Sequence, residues 1–318
     1  MTRLVLLLAL AAVGPTAQAG AGGSPLALVT LETTNQLIAV ALPSGHVVRR
    51  LRMPADPQNV EASARTAVVV STRGAAVTLV DVRSLHVVKT IRGFGAPHIP
   101  LIGADQRHAY VTDDARGQLV VIDLARRRVV RRVFVGYGAH HMAADATGNQ
   151  LWVALGERAR RIVRLDASDP ARPRVLGAVD PRGLAHDLAF TPNGSRVWVT
   201  YDDRASVGVF SAATGRLLRR LPAGSPPGHV AFRASNGAPV AFVTSGNNGT
   251  LRVFSAPTGH LIRLVRTTYG SFNLAVYGSF VATSSLYRGT LMVISDGGRR
   301  LLSERIAPAA RDLAVTVP

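Results

Sequence analysis

The sequence predicts an all-β fold: a seven-bladed β-propeller of four-stranded blades, in which the C-terminal strand joins the N-terminal blade and closes the ring. Two observations predict it. A short apolar phrase recurs seven times, with central residues 29, 70, 111, 153, 199, 243 and 282, so that the repeat measures 39 to 46 residues. A repeat of that length with several short strands is typical of a propeller blade. The second observation is the way in which the two ends of the chain complement each other.

Four strands are predicted in each repeat from β-branched runs bounded by Gly, Asp, Asn and Pro. Residues 141–144 form a first strand and residues 150–154 a second strand, separated by a turn that ends at Gly148. In the preceding copy, residues 118–123 form a third strand and residues 128–135 a fourth. Glycine at the turn supplies the positive φ that such hairpins need. Some copies of the repeat depart from the common pattern. Ala154 stands at the end of the recurrent phrase, where the other copies have Thr or Ser. Glu61 and Pro100 interrupt first strands.

The chain ends predict how the ring closes. Residues 26–30 match the second strand of a repeat, and no first strand precedes them. Residues 312–317 match a first strand, so we expect them to pair with residues 26–30 and complete that blade. Closure of the ring removes sheet edges that would otherwise favour aggregation.

The N-terminal segment has the pattern of a secretory signal peptide. One positive residue, Arg3, precedes an apolar run over residues 4–13, and Ala17-Gln18-Ala19 offers the small residues of a cleavage site. The run is shorter than the roughly 20 residues that cross a bilayer. We therefore expect residues 1–19 to be removed and residues 20–318 to form one domain outside the cytoplasm, secreted or periplasmic, with no membrane span. The chain contains no cysteine, which excludes disulfides and a cysteine-linked lipid anchor.

The charge is strongly basic, with 37 Lys and Arg against 19 Asp and Glu and a net charge of +18. Only Lys89 among the 37 is lysine, and the arginines are spread over every repeat. A genome rich in GC, which favours Arg codons, is the preferred explanation. Weak attraction to anionic surfaces is the alternative. Specific nucleic-acid binding is not indicated, because no basic stretch is interleaved with stacking aromatic residues.

The repeats resemble the YVTN-type propeller repeats of bacterial surface-layer and periplasmic proteins. The resemblance rests on Tyr110-Val111-Thr112-Asp113, on residues 138–143 and on the turn over residues 191–194, and it covers nearly all of residues 24–318. It implies a seven-bladed propeller and leaves the function open, since propellers serve as binding scaffolds, lyases, lactonases and dehydrogenases alike.

A band of polar residues marks the predicted ligand site. The loops that lead into the innermost strands of a propeller meet at one end of its central channel, which we call the funnel face. A polar residue precedes the first large apolar residue of each inner strand, and two histidines lie one position earlier. These candidate ligand-binding residues are Asn59, His98, His140, His141, His186, Asp187, His229, Asn273 and Asp312. The expected ligand is a protein, a polymer or a small molecule, and its binding should depend on pH near 6.5, the ordinary imidazole pKa.

Two further interpretations of this band remain open. Polar side chains at this level can simply bond backbone groups and channel water, an interpretation nearly as strong as ligand binding. A divalent metal is not favoured and no cofactor is expected, because no H-x-H or H-E-x-x-H spacing occurs and ligands would come from different blades across a wide funnel. Asp113-Asp114 and Asp202-Asp203 lack the spacing of a calcium loop.

The favoured function is therefore an exported, non-catalytic binding propeller. The alternative is a propeller lyase or lactone hydrolase that uses the histidines as general acid or base, with or without a divalent metal. No catalytic residue is assigned, because the chain contains no G-x-S-x-G motif and no cysteine.

Overall fold

The fold is a closed ring of seven antiparallel four-stranded sheets. It is seen in a computed structural model that describes residues 24–156, 159–234 and 238–318. Within these residues each sheet forms one blade, and the first strands of successive blades contact one another around a central channel. The predicted fold class is confirmed.

The strands follow each other from the channel outward in every blade. Blade 1 contains β28 (Leu313–Thr316), β1 (Leu26–Leu31), β2 (Gln36–Ala41) and β3 (Val47–Arg52). Blade 2 contains β4 (Pro57–Ala62), β5 (Thr66–Ser71), β6 (Ala76–Asp81) and β7 (His86–Arg92). Blade 3 contains β8 (Pro97–Ile102), β9 (His108–Asp113), β10 (Gln118–Asp123) and β11 (Arg128–Phe134). Blade 4 contains β12 (Met142–Ala144), β13 (Gln150–Ala154), β14 (Ile162–Asp166) and β15 (Arg174–Val179).

The last three blades repeat this order. Blade 5 contains β16 (Ala185–Phe190), β17 (Arg196–Tyr201), β18 (Ser206–Ser211) and β19 (Leu217–Pro222). Blade 6 contains β20 (Val230–Arg233), β21 (Val240–Ser245), β22 (Thr250–Ser255) and β23 (Leu261–Arg266), with a 3-10 turn at Gly246–Asn248. Blade 7 contains β24 (Ser271–Tyr277), β25 (Phe280–Ser285), β26 (Thr290–Ser295) and β27 (Arg300–Arg305). Among the described residues, no helix has the length and hydropathy needed to cross a bilayer.

The burial of the strands explains the sequence pattern. The second and third strands of each blade are packed between neighbouring blades on both faces, so they read as apolar runs; β1 is buried along its whole length. The fourth strands form the outer edge. In β3, Arg49 and Arg50 are exposed, and paired arginines occupy the corresponding part of β11 and β19. The arginine-rich segments are therefore mainly a solvated outer surface.

The C-terminal strand completes the first blade, as the sequence predicts. β28 pairs antiparallel with β1, with Val29 opposite Leu313 and Leu26 opposite Thr316. Strands β4 and β8 continue through Glu61 and Pro100, where the sequence predicts interruptions, and each strand has a register shift near its start. The predicted signal peptide lies outside the described residues.

A Thr or Ser hydroxyl, in the recurrent phrase or one residue after it, links six of the seven blades to the next blade. Thr112 Oγ1 donates to the carbonyl of His140 at 2.7 Å, and Thr200 Oγ1 donates to the carbonyl of Gly228 at 2.7 Å. Thr30, Thr244, Thr72 and Ser284 make the equivalent bond in blades 1, 6, 2 and 7. The acceptor always lies one residue before the polar band residue of the next blade. Six blades thus use a hydroxyl donor; blade 4, which has Ala154, does not.

Candidate functional site

The polar band lies at the funnel face, and part of it joins neighbouring blades. Asn59 Nδ2 donates to the carbonyl of His98 at 2.8 Å, and Asn273 Nδ2 donates to Asp312 Oδ1 at 2.8 Å. Asp312 Oδ2 accepts the backbone N–H of Val60 at 2.9 Å. These three side chains are buried or half-buried and stabilise contacts between blades, so the interpretation of the band as structural holds for them.

Asp187 has the same linking role, since its Oδ2 accepts the backbone N–H of Val230 at 2.8 Å. The same oxygen lies 3.6 Å from Nδ1 of His229. Asp187 therefore stands at the boundary between the linking residues and a group of histidines.

Five histidines from four neighbouring blades meet on one side of the channel. We call this group the histidine cluster; its members are His98, His140, His141, His186 and His229. The rings of His98 and His140 are stacked with centroids 3.6 Å apart. The ring of His141 lies 4.3 Å from that of His186 and 4.8 Å from that of His229. The structure thus brings together all five histidines that the sequence assigns to the band.

Oxygen atoms face one nitrogen, Nδ1, in four of these rings. Nδ1 of His140 lies 3.3 Å from Oδ2 of Asp114, and Nδ1 of His186 lies 3.2 Å from Oδ1 of Asp202. The Asp187 carboxylate also faces Nδ1 of His229, but at 3.6 Å, which is longer than a hydrogen bond. An acceptor at Nδ1 favours the tautomer with the proton there, and it leaves the Nε2 lone pair free for a ligand.

The fourth ring is oriented by a backbone carbonyl. Nδ1 of His141 lies 3.0 Å from the carbonyl oxygen of His186. This carbonyl occupies the position that accepts a Thr or Ser hydroxyl in the other six blades. In blade 4 the corresponding residue is Ala154, which has no hydroxyl, so the carbonyl is available to the imidazole. Alanine in place of Thr or Ser at position 154 thus occurs in the one blade where a histidine bonds this carbonyl.

Burial keeps the inner part of the histidine cluster neutral. It lowers the pKa of His98, His141 and His229 well below the ordinary value, and the nearby imidazoles lower each pKa further. Burial also raises the pKa of Asp187 and of Asp312 to about 6. Neutral imidazole is the form of histidine that binds metal ions.

Two expectations from the sequence change here: the width of the funnel and the pH at which its histidines titrate. The funnel is narrow at the histidine cluster, so the separation of the blades does not keep the side chains apart. His141 is only 2% exposed and lies below the wet rim of the channel. Because the pKa values of His98, His141 and His229 are lowered, their titration is centred well below pH 6.5. Each correction follows from the convergence of the inner strands toward the axis.

The histidine cluster has the dimensions of a metal site. Two sets of three imidazoles, His98–His140–His141 and His141–His186–His229, each place one nitrogen per ring within 4.8 Å of the others. The nitrogens of a tetrahedral zinc site are about 3.4 Å apart, given Zn–N bonds of about 2.1 Å. Side-chain movements of about 1 Å would therefore bring either set to bonding distance. Both sets include His141.

A cavity of about 320 Å³ opens onto the histidine cluster. Its remaining wall comes mainly from blades 6, 7 and 1. The residues of that wall are Asn59, Asp202, Pro226, Pro227, Gly228, Asn247, Phe272, Asn273, Leu286, Tyr287 and Arg311. The cavity therefore joins coordinating nitrogens on one side to aromatic, aliphatic and cationic groups on the other.

Sequence reasoning did not assign the partners of the histidines. Asp114 and Asp202 stood among the acidic pairs examined for calcium, and their position between a second and a third strand was the available signal. Asp113 instead accepts the backbone N–H groups of Gly95 and Ala96, and Asp203 pairs with Arg204. The two members of each acidic pair thus have separate roles.

Comparisons with known proteins support the fold. No protein-family model and no curated protein matches the chain, so the resemblance to YVTN-type repeats stays a prediction. A functionally unknown protein from Desulfotomaculum acetoxidans superposes with a TM-score of 0.80 at 15% identity, covering 92% of this chain and 99% of its own. Apo AztD from Citrobacter koseri superposes with a TM-score of 0.73 at 9% identity, covering 93% and 98%. Hydrazine synthase from Kuenenia stuttgartiensis gives 0.65 at 15% identity, covering 75% and 76%. At these identities the similarity shows the propeller fold alone.

Proposed function

We propose that this protein is a metal-binding propeller that holds one divalent transition-metal ion in the histidine cluster. Imidazole ligands suit zinc, copper and nickel better than calcium or magnesium, which prefer oxygen. We take Zn²⁺ as the probe. The predicted signal peptide supports a location outside the cytoplasm, and the resemblance to YVTN-type repeats agrees with that location.

The orientation of the imidazoles is the observation that carries this proposal. Histidines that bind a metal commonly donate their other N–H to a carboxylate or a backbone carbonyl, which fixes the tautomer and the ring orientation. His140 and His186 each have a carboxylate oxygen within 3.3 Å of Nδ1, and His141 has a carbonyl oxygen there at 3.0 Å. The Asp187 carboxylate lies 3.6 Å from Nδ1 of His229. A purely structural polar band would not require three rings with an acceptor at Nδ1, an arrangement that leaves Nε2 for a ligand.

Neutrality of the buried histidines His98, His141 and His229 supports the same function. Five imidazoles at these distances would repel one another if they were protonated, and burial disfavours the charged form. The lowered pKa values of His98, His141 and His229 keep lone pairs available at neutral pH. A metal ion would contribute the positive charge that the surrounding carboxylates of Asp114, Asp187 and Asp202 can balance.

The test is a zinc titration of the purified chain after removal of residues 1–19. We expect one zinc ion per chain, because both sets of histidines need His141. His186→Gln, at a half-buried position, should weaken zinc binding at least tenfold, since it removes one imidazole of the set His141–His186–His229, in which an oxygen faces Nδ1 of all three rings. His260→Gln, at an exposed histidine remote from the cavity, is the matched control and should bind zinc like the wild type.

The outcome separates metal binding from structural polarity. If His186→Gln and the control bind zinc equally, or if the wild type binds none, the proposal is wrong. Two tightly bound ions per chain would contradict the shared role of His141. Melting curves of the metal-free variants show whether a loss of binding merely reflects a loss of folding.

Metal-dependent hydrolysis is the second candidate function, and the cavity favours it. A metal ion held by three histidines keeps a fourth position for water, and zinc lowers the pKa of bound water to about 7. The cavity of about 320 Å³ would give a substrate access to that position. Release of acid from a simple lactone by zinc-loaded protein, abolished by His186→Gln, would support catalysis over binding alone.

A further inference from the structure

The wall of the cavity opposite the histidines contains aromatic and aliphatic side chains. Phe272, Leu286 and Tyr287 of blade 7 line it. The ring of Tyr287 lies 5.7 Å from that of Phe272 and 5.2 Å from that of Tyr269. Tyr269 and Tyr287 are each 50% exposed. Apolar ring surface exposed at the mouth of a polar cavity favours the binding of a flat apolar group, which removes that surface from water.

A cationic group borders the same cavity. Arg311 precedes β28 and lines the cavity beside Asn273 and Asn59. Its Nη1 lies 3.6 Å from Oε2 of Glu32, which is longer than a hydrogen bond. A guanidinium group presents a planar set of N–H donors that matches a carboxylate.

From these features we infer that the cavity binds a small aromatic carboxylate, whose ring lies on the wall of blade 7 and whose carboxylate lies toward Arg311 and the bound metal. The inference rests on the proposed function, because a metal held by three imidazoles keeps a position for an oxygen ligand. The cavity is at the small end of the range for organic ligands. A free small molecule therefore fits it better than the end of a folded chain.

The experiment uses 1-naphthoate as the probe and the full chain without residues 1–19. Binding is followed by fluorescence, with and without one equivalent of Zn²⁺, and zinc affinity is measured separately for each variant. We expect 1-naphthoate to bind the zinc-loaded protein at least tenfold more tightly than the metal-free protein. The neutral analogue 1-naphthalenemethanol should bind at least tenfold more weakly, because it can neither ligate zinc as an anion nor pair with Arg311.

Two variants test the two sides of the ligand. Arg311→Gln should weaken 1-naphthoate binding about tenfold and leave 1-naphthalenemethanol unaffected. Tyr287→Ala should weaken both probes, since both have the same ring. Arg300→Gln changes an exposed arginine on β27, remote from the cavity, and is the matched control that should bind like the wild type. Melting curves and zinc affinities verify that each variant is folded and loaded.

The results distinguish this inference from the function on which it rests. If zinc binds and 1-naphthoate does not, the inference is wrong and the metal site stands. If zinc does not bind, the proposed function fails. Equal affinity of 1-naphthoate with and without zinc, or equal affinity of Arg311→Gln and Arg300→Gln, would also overturn the inference. Binding of the alcohol as tightly as the acid would show an apolar pocket without carboxylate recognition.

Discussion

Nδ1 of His141 lies 3.0 Å from the backbone carbonyl oxygen of His186, an acceptor that takes a Thr or Ser hydroxyl in each of the other six blades. Blade 4 has Ala154 at the hydroxyl position. One link between blades is thus made by an imidazole instead of an alcohol, and the contact fixes the tautomer of the histidine shared by both sets of ligands. The same contact contributes to the fold and to the candidate metal site.

Restoring the hydroxyl should weaken metal binding. In Ala154→Thr, the new hydroxyl competes with His141 for the carbonyl of His186, so the ring loses part of its orientation. We expect zinc affinity to fall about fivefold. The free energy of unfolding of the metal-free protein should fall by about 1–3 kcal/mol, because Ala154 is fully buried and the larger side chain must be accommodated in the core. Zinc titration and denaturant unfolding measure the two quantities.

Ala154→Val is the matched control, since valine has the shape of threonine without the hydroxyl. We expect it to keep the zinc affinity of the wild type. A carbonyl oxygen has two lone pairs. Unchanged zinc affinity in Ala154→Thr would show that the carbonyl accepts both donors and that Ala154 has no role in the site.

Single substitutions should separate the residues of the polar band into two groups. Changes at the linking residues should lower stability, and changes at the metal ligands should lower zinc affinity. Asp312→Ala leaves the amide of Asn273 and the backbone N–H of Val60 without their acceptor. We expect it to cost about 2–4 kcal/mol of unfolding free energy. At denaturant concentrations below its unfolding transition, Asp312→Ala should still bind zinc. His186→Gln should show the reverse, weak zinc binding with a nearly unchanged melting temperature.

That division would fail if both variants lost stability equally and neither lost zinc. The whole polar band would then be structural, which is the alternative interpretation in the sequence analysis. Calorimetric melting of the metal-free proteins, with zinc titrations under the same conditions, gives both measurements for each variant.

Asp114 and Asp202, whose carboxylates face His140 and His186, should act as positioning residues. Asp114→Asn and Asp202→Asn keep the shape of the side chain but remove the carboxylate that faces Nδ1 of His140 or of His186. Loss of such a partner typically costs 10- to 100-fold in metal affinity. Asp203→Asn is the control, because Asp203 pairs with Arg204 and not with a histidine. Similar zinc affinities for all three variants would contradict a role of the carboxylates in the site.

The repeat made most of the fold predictable, because the second and third strands of every blade are packed between neighbouring blades and therefore share one apolar pattern. The polar band was predictable for a related reason, since its residues hold one position in each repeat. Which band residues would meet was not predictable, because His98 and His229 are 131 positions apart and only the curvature of the ring brings them together. The role of Ala154 was also hidden. A missing hydroxyl has meaning only once the carbonyl that it would bind is known.

Metal binding should release few protons. Each set of three histidines contains two whose pKa lies well below the ordinary value, His98 and His141 or His141 and His229. These are neutral at pH 6.0 and have no proton to lose. Three imidazoles with an ordinary pKa of about 6.5 would together release about two protons at that pH. We expect about one proton per zinc ion, part of it from Asp187, whose pKa is about 6.

Isothermal titration in buffers of different ionisation enthalpy measures this number. The sign follows from competition between protons and metal: the lower the pKa of a ligand, the further the pH must fall before protonation displaces the ion. Zinc should therefore stay bound below pH 6.5, where a site of ordinary histidines begins to lose it. Release of two or more protons at pH 6.0 would mean that the buried histidines titrate normally.

Closure of the ring should depend on the C-terminal strand. Deleting residues 308–318 removes β28 and with it the pairing partner of β1, leaving Leu28 and Val29 beside an open edge. It also removes Asp312, which links blade 1 to blades 2 and 7. Since an open propeller exposes both an unpaired strand and apolar surface, we expect aggregation and the loss of cooperative unfolding. Deleting only residues 317–318, which follow β28, is the control and should leave the melting curve unchanged. A chain without residues 308–318 that melts like the full protein would show that β28 is not required for closure of the ring.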